Sequence, residues 1–324
     1  MNYILLLIGF VLLIKGADIF VDGAAATSKK LGIPAVIVGL TIVSLGTSAP
    51  ELAVSTISSI QGSNELALGN VLGSNIFNTL VVLGASTIIM PLIIKKKAIK
   101  KDFIINIAVV GLLFFLTFDG IIFGTSNEIG RIDGIILLTV CIVYTICLIN
   151  QARKNSTIQN ESEEEKQERN EIKIGSNVVK ILIGVAGIVI GGNVVVTSAT
   201  DIAVALGMSQ KLVGLTIVAI GTSLPELVTS AVAAFKGEED IALGNILGSN
   251  IFNILLILGV ASCITPIAVQ SALVVDFLFL IVATLVIAAI IYMSKGEEKK
   301  LSKFDGFLFV AMYIGYMVFI IVRG

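Results

Sequence analysis

Residues 39–55 read GLTIVSLGTSAPELAVS, and residues 214–230, 175 positions later, read GLTIVAIGTSLPELVTS, identical at 12 of 17 positions. A second pair keeps the same offset: GNVLGSNIFNTLVVLG at 69–84 and GNILGSNIFNILLILG at 244–259, identical at 12 of 16. The chain is a duplicated unit. Each copy sets a glutamate beside a proline inside a long apolar segment. An ionisable side chain at the centre of a membrane helix costs about 2.5–3.5 kcal/mol on insertion scales. Glu51 and Glu226 therefore call for a functional explanation.

The apolar setting is a property of the whole chain. Hydrophobic residues make up 56% of it and charged residues 14%, with a mean hydropathy of +1.01, which describes an integral membrane protein. Long apolar runs separated by short polar breaks predict ten helices, each able to cross a hydrocarbon core of roughly 30 Å. They fall near 3–22, 34–60, 66–90, 103–119, 130–150, 177–198, 209–235, 240–264, 271–293 and 304–322. The runs are continuous rather than alternating, which favours helices over a barrel. The first run lacks a basic leader and aligns with the segment at 178–198, so a retained helix is expected rather than a signal peptide. Cys141, Cys147 and Cys263 have neither paired nor metal-ligand spacing and read as packing residues.

Ten helices would place 18 lysines and arginines in the loops after the odd-numbered helices and only Arg131, Lys211 and Arg323 on the opposite side. By the positive-inside rule both termini then face outward, in the cell membrane, and the polar stretch 151–176 is a cytoplasmic linker. The linker divides the chain into halves 1–150 and 177–324. Its acidic run Glu161–Glu165 is mixed with Lys166 and Arg169, so a solvated linker is the expected reading rather than a calcium sensor. Five helices is an odd number. The second half must therefore start from the opposite side of the membrane, giving an all-α protein of ten transmembrane helices in two inverted-topology repeats of five. That architecture belongs to secondary transporters, with a midplane site on interrupted helices.

The repeated motif suggests the chemistry of such a site. Pro50 and Pro225 each remove an amide donor and crowd the carbonyl four residues back, at Gly46 and Gly221. Freed backbone oxygens, the hydroxyls of Thr47, Ser48, Thr222 and Ser223, and the two carboxylates then lie at one level. Ser74 and Asn78 share a helix face, as do Ser249 and Asn253, and would form a second wall of smooth helices. These serines and asparagines can also be read as helix-to-helix glue, the preferred reading for Asn75 and Asn250. An all-oxygen site suits calcium or sodium, whereas the absence of His and Cys from the motif argues against soft metals, and magnesium dehydrates too reluctantly. Two glutamates give a charge near −2 that one calcium or two sodium ions would neutralise. Competition for one site is the physical basis of exchange.

The motifs G-T-S-x-P-E and G-N-x-L-G-S-N-I-F-N, each present twice, resemble the alpha repeats of the calcium/cation antiporters, specifically of the prokaryotic sodium/calcium exchangers. The resemblance spans the chain. It implies that calcium moves one way against several sodium ions, with Glu51 and Glu226 as the central ligands and the carbonyls of Thr47 and Thr222 completing the calcium site. Ser48, Ser223, Ser74, Ser249 and the carbonyls of Ser44 and Ala219 would shape flanking sodium sites, while Asn78 and Asn253 line the middle. Some potassium-dependent relatives carry Asp where Asn253 stands, so potassium cotransport is not expected. The first and sixth helices resemble the family's sliding helices. Lys15 and Asp18, one turn apart, read as a structural pair.

The alternative is a proton/calcium antiporter using the same carboxylates. A passive channel is disfavoured by the inverted repeats. An enzyme is not expected, because no nucleophile and base or zinc-ligand motif is present. Ca2+, Na+ and the lipid bilayer are the expected partners, with no cofactor, no nucleic acid and no protein partner required.

Overall fold

The computed structural model describes residues 2–62, 64–123, 127–154, 167, 169–208, 219–269, 273–294 and 296–323. The acidic run of the linker, Lys211 and the start of the predicted seventh helix, 209–218, lie outside them. Helix α1 spans Asn2–Leu31. The second segment is broken into α2, Ala35–Thr47, and α3, Ala49–Ile60, bent by 48°. Helix α4 starts as Asn64–Phe77, passes through a π-helical stretch Asn78–Val82 and ends as Leu83–Ile89. Helices α5, Lys96–Phe123, α6, Arg131–Lys154, and α7, Ile174–Ala205, follow. The seventh segment is described as α8, Ala219–Thr222, and α9, Leu224–Phe235. Helix α10 runs from Glu239 to Phe252, through a π-helical stretch Asn253–Leu258, to Gly259–Ile264. Helices α11, Val274–Tyr292, and α12, Lys303–Arg323, complete the bundle.

Among the described residues eight helices are long and apolar enough to cross a bilayer, and the bent α2–α3 pair makes a ninth span. The predicted helix 209–235 is represented by α8 and α9 alone. Its 12-residue apolar stretch Leu224–Phe235 is too short to count as a span by itself. Several predicted boundaries move outward: α1 continues to Leu31 and α7 to Ala205, well past the apolar runs that announced them.

Burial separates the centre from the rim. In α10 83% of the apolar window is buried and in α4 72%, against 11% in α12. Helix α12 presents Phe304, Phe307, Ile314 and Val318 outward, as a lipid-facing helix must where no water rewards polar groups. Between membrane helices the driving force is close packing rather than the hydrophobic effect, and small residues allow it. Helices α1 and α7 run antiparallel, with Asn2 Nδ2 donating to Asp201 Oδ2 at 3.3 Å at one end and Gly23 against Asn177 and Ile181 towards the other. A Cβ at Gly16 would stand 2.7 Å from the Ile188 amide nitrogen, and one at Gly244 of α10 2.5 Å from the Val36 carbonyl of α2. No larger residue fits at either crossing.

Two small antiparallel ribbons tie the loops. Strands β1, Ile93–Lys95, and β4, Glu298–Lys300, pair at one end of the bundle, and β2, Glu128–Ile129, and β3, Ile267–Ala268, pair at the other. At the first end Lys97 meets Glu297 at 2.6 Å, Lys95 meets Asp240 at 3.7 Å, and Lys30 donates to the Arg169 carbonyl at 3.0 Å. The loops after helices three, seven and nine thus meet at this end, and the loop after helix one meets Arg169.

Candidate ion site

Proline decides where the second and seventh segments break. The residue before the new helix is Ser48 (φ −81°, ψ 7°) in one copy and Ser223 (φ −93°, ψ 6°) in the other, and Pro50 and Pro225 fall in the first turn of α3 and α9. In the first turn a missing N–H costs nothing, because no carbonyl lies behind it to accept. The sequence reading placed the prolines inside a kinked helix; the chain instead ends one helix and starts another. Glu51 and Glu226 consequently sit in a first turn, where the helix dipole favours an anion.

Ser48-Ala-Pro-Glu51 and Ser223-Leu-Pro-Glu226 have the spacing of a capping box, in which serine and glutamate would satisfy each other's helix terminus. Neither serine caps its own helix. The partners are exchanged: Ser48 Oγ donates to Glu226 Oε1 at 2.8 Å, and Ser223 Oγ approaches Glu51 Oε1 at 3.3 Å. Ser223 Oγ also meets Ser74 Oγ at 3.0 Å, and Ser249 Oγ donates to Glu226 Oε1 at 3.4 Å. These bonds draw α3, α9, α4 and α10 onto one centre.

Both glutamates are wholly buried, and among the described residues no ion pair involves either. Each has one oxygen engaged by serine and one, Oε2, with no donor among the described residues. The amides of Asn78 and the Oδ1 of Asn253, buried at the same motif positions in α4 and α10, also lack partners. Unsatisfied buried acceptors are rare and costly in a folded protein. Here four residues with matched positions in the two motifs carry them together.

The helices bearing Asn78 and Asn253 are not smooth, contrary to the sequence reading. Each enters its π-helical stretch at that asparagine. A π-turn inserts a residue, shifts the carbonyl register and is found mostly at functional sites. Of the remaining predicted residues, Thr47 is buried and its hydroxyl donates to Asn245 Oδ1 at 3.0 Å, while Thr222 Oγ1 stands 3.3 Å from Asn70 Oδ1. The Ser44 carbonyl accepts from the Ser48 amide at 3.0 Å and from Thr47 Oγ1 at 3.2 Å, and the Ser44 hydroxyl turns back to the Leu40 carbonyl. Ala219 opens α8, next to the break.

Four supporting residues escaped the sequence reading. Asn245 takes the Thr47 hydroxyl, donates to Ser230 Oγ at 2.9 Å and reaches the Glu226 carbonyl at 3.4 Å; Asn70 pairs with Ser55 at 3.3 Å. Asn70 and Asn245, and Ser55 and Ser230, lie 175 positions apart inside the repeated motifs, a signal available in the sequence. Asn75 and Asn250 act as the expected glue. Asn75 Nδ2 donates to the Asn250 carbonyl at 3.1 Å, Asn250 Nδ2 to Thr79 Oγ1 at 2.9 Å, and Asn253 Nδ2 to Asn75 Oδ1 at 3.1 Å.

A helical membrane bundle with two broken helices meeting at a pair of buried carboxylates is the build of an ion-handling secondary transporter. Comparison with known proteins assigns the family: residues 1–150 and 176–322 match the family described as sodium/calcium exchanger protein, and the chain belongs to it, within the calcium/cation antiporter superfamily. The chain is 36% identical to the inner membrane protein YrbG of Escherichia coli over 81% of its length and 79% of the relative's. It is 31% identical to the sodium/calcium exchanger MaX1 of Methanosarcina acetivorans over 98% and 97%. The solved sodium/calcium exchanger of Methanococcus jannaschii superposes with a TM-score of 0.80 at 29% identity, covering 97% of this chain and 96% of that one.

Proposed function

We propose that this protein exchanges Ca2+ for several Na+ across the cell membrane by alternating access, at a midplane site whose central ligands are Glu51 and Glu226. Ten helices would form two inverted halves, 1–150 and 177–324, with both termini outside and the linker 151–176 cytoplasmic. The antiparallel run of α1 and α7 and the grouping of basic loops at one end support this arrangement.

One observation carries the assignment: two wholly buried glutamates from opposite halves, each steadied on one oxygen by a serine of the other half and each with its second oxygen lacking a donor. A hard cation satisfies such oxygens, and the charge of the ionised pair is balanced by one calcium or two sodium ions. The carbonyls of Thr47 and Thr222 would complete the calcium site. Ser48, Ser223, Ser74, Ser249 and the carbonyls of Ser44 and Ala219 would flank it as sodium ligands, with Asn78 and Asn253 lining the middle. Leaving two charges bare inside the bundle costs several kcal/mol per ion, so the site must be loaded before it crosses, and loading by either ion makes the fluxes obligatorily coupled. The exchangers named above that share this fold support the choice of ions.

The test is calcium flux in proteoliposomes holding the purified chain. An outward Na+ gradient should drive 45Ca2+ uptake, and K+ or choline in its place should not. Uptake driven by a pH gradient without Na+ would replace this reading with proton/calcium exchange on the same carboxylates.

A further inference from the structure

A third carboxyl without solvent exposure lies in the bundle. Asp102, in the second turn of α5, has neither side-chain oxygen within reach of a donor among the described residues. Asn106, four residues on along the same helix face, is also buried, and its Oδ1 has no donor. Two phenols come from other helices. Tyr144 of α6 and Tyr292 at the end of α11, the latter packed on Phe103 beside Asp102, have hydroxyls without a hydrogen-bond partner among the described residues. Ring contacts hold both in place: Tyr292 packs edge-on against Phe103 with centroids 6.2 Å apart, and Tyr144 against Phe252 of α10 at 6.0 Å.

Nearby cations do not discharge Asp102. Lys101 acts on it only at a distance and donates to Gln151 Oε1 at 3.3 Å. Lys96 is committed to the carbonyls of Ser294 and Gly296, and Lys97 to Glu297. Cys141, one turn before Tyr144, reaches the cluster through that phenol. The hydrogen-bond inventory is then short by one donor. Asp102 Oδ1, Asp102 Oδ2 and Asn106 Oδ1 accept, while the two phenols can donate. A proton on Asp102 removes the buried charge and supplies the missing donor for Asn106. A calcium ion would instead need a shell of six to eight oxygens, more than these side chains offer.

We propose that Asp102, with Asn106, Tyr144 and Tyr292, is a proton-binding site separate from the two-glutamate centre, and that its occupancy modulates transport. The link to the centre is structural. Asn106 and Asn250 line one cavity of about 20 Å³ with Thr79 and Thr284, room for a single water. Asn250 in turn is bonded to Thr79 and Asn75, and Asn75 to Asn253. In the second half the corresponding helix α11 carries the buried Asp276, whose Oδ1 accepts from the Tyr316 hydroxyl at 2.9 Å, so that acid has the kind of donor that Asp102 lacks among the described residues. The transport part of the proposal rests on the exchanger reading, whereas proton binding does not.

Infrared difference spectra of the full chain carrying Glu51→Gln and Glu226→Gln, titrated in pH, test the site without transport. The expected result is a protonated-carboxyl C=O band that follows pH, is lost on adding Asp102→Asn, and is indifferent to replacing Na+ by choline. Absence of an Asp102-dependent band, or a band that follows Na+ rather than pH, overturns the site. In the otherwise native chain, Asp102→Asn copies the shape of the protonated carboxyl, so calcium flux should persist with its pH dependence flattened. A pH profile identical to that of the unaltered chain overturns the modulation.

Discussion

Glu226 accepts from two serines, Ser48 at 2.8 Å and Ser249 at 3.4 Å, whereas Glu51, its counterpart 175 positions earlier, is approached by one, Ser223 at 3.3 Å. Ser74, which stands where Ser249 stands in the repeat, meets Ser223 rather than the glutamate. The same motif therefore makes two unequal half-sites: the carboxylate of the second half is braced and that of the first is looser. A second inequality lies at the end of the helix after each break. Lys236, following α9, reaches Asp18 and Asp22 of α1 at 2.6 Å each and the Asp18 carbonyl at 3.0 Å. The equivalent of Lys236 is Gln61, and those of Asp18 and Asp22 are Asn193 and Thr197, so no ionic tie is possible in the first half. The predicted Lys15–Asp18 pair is present at 3.8 Å but is the weaker of Asp18's contacts. Duplication supplies the carboxylates twice, and the differences between the copies set how firmly each is held.

The largest expected effect removes a charge from the centre. Glu51→Gln or Glu226→Gln should each lower calcium transport by 30-fold or more, from a loss of about 2–5 kcal/mol, while the purified protein keeps its elution profile and helical content. Near-normal flux in either variant would remove that glutamate from the proposed site.

Next comes the brace. Ser48→Ala removes the short bond to Glu226 and should weaken calcium affinity by about 1.5–3 kcal/mol, the range for a hydrogen bond to a charged group. Ser223→Ala removes a longer contact and should cost less, roughly half as much. Isothermal titration of both variants in the same detergent sharpens the comparison, and equal losses would refute the inequality.

The smallest effect concerns Lys236. Its partners Asp18 and Asp22 are partly exposed, so Lys236→Gln should shift the docking of α1 against α9 by no more than about 1 kcal/mol, and less at high salt. Hydrogen exchange along α1 reads this directly. Protection should fall around Asp18–Asp22 and stay unchanged near Asn2, at the opposite end of the helix.

Much of the candidate site was legible because duplication is a linear property: two glutamates, their serines and asparagines recur at one offset and need no coordinates to be seen. Asn70, Asn245, Ser55 and Ser230 obey the same offset, yet nothing local distinguishes them from packing residues; only their bonds to Thr222, Thr47 and each other show that they support the centre. The exchanged capping box was invisible for a related reason. Its spacing promises a bond within one helix end, and the bond actually made runs between halves.

By itself the sequence determined the membrane setting, the duplication and the presence of one acid in each copy, since hydropathy and repetition accumulate along the chain and do not depend on who packs against whom. Tertiary structure alone decided the partners. It chose which serine serves which glutamate, placed the π-helical stretches at Asn78 and Asn253, and buried Asp102 without a donor among the described residues. Hydrogen bonds and π-turns answer to neighbours within a few ångströms, and those neighbours come from segments as much as 218 residues apart.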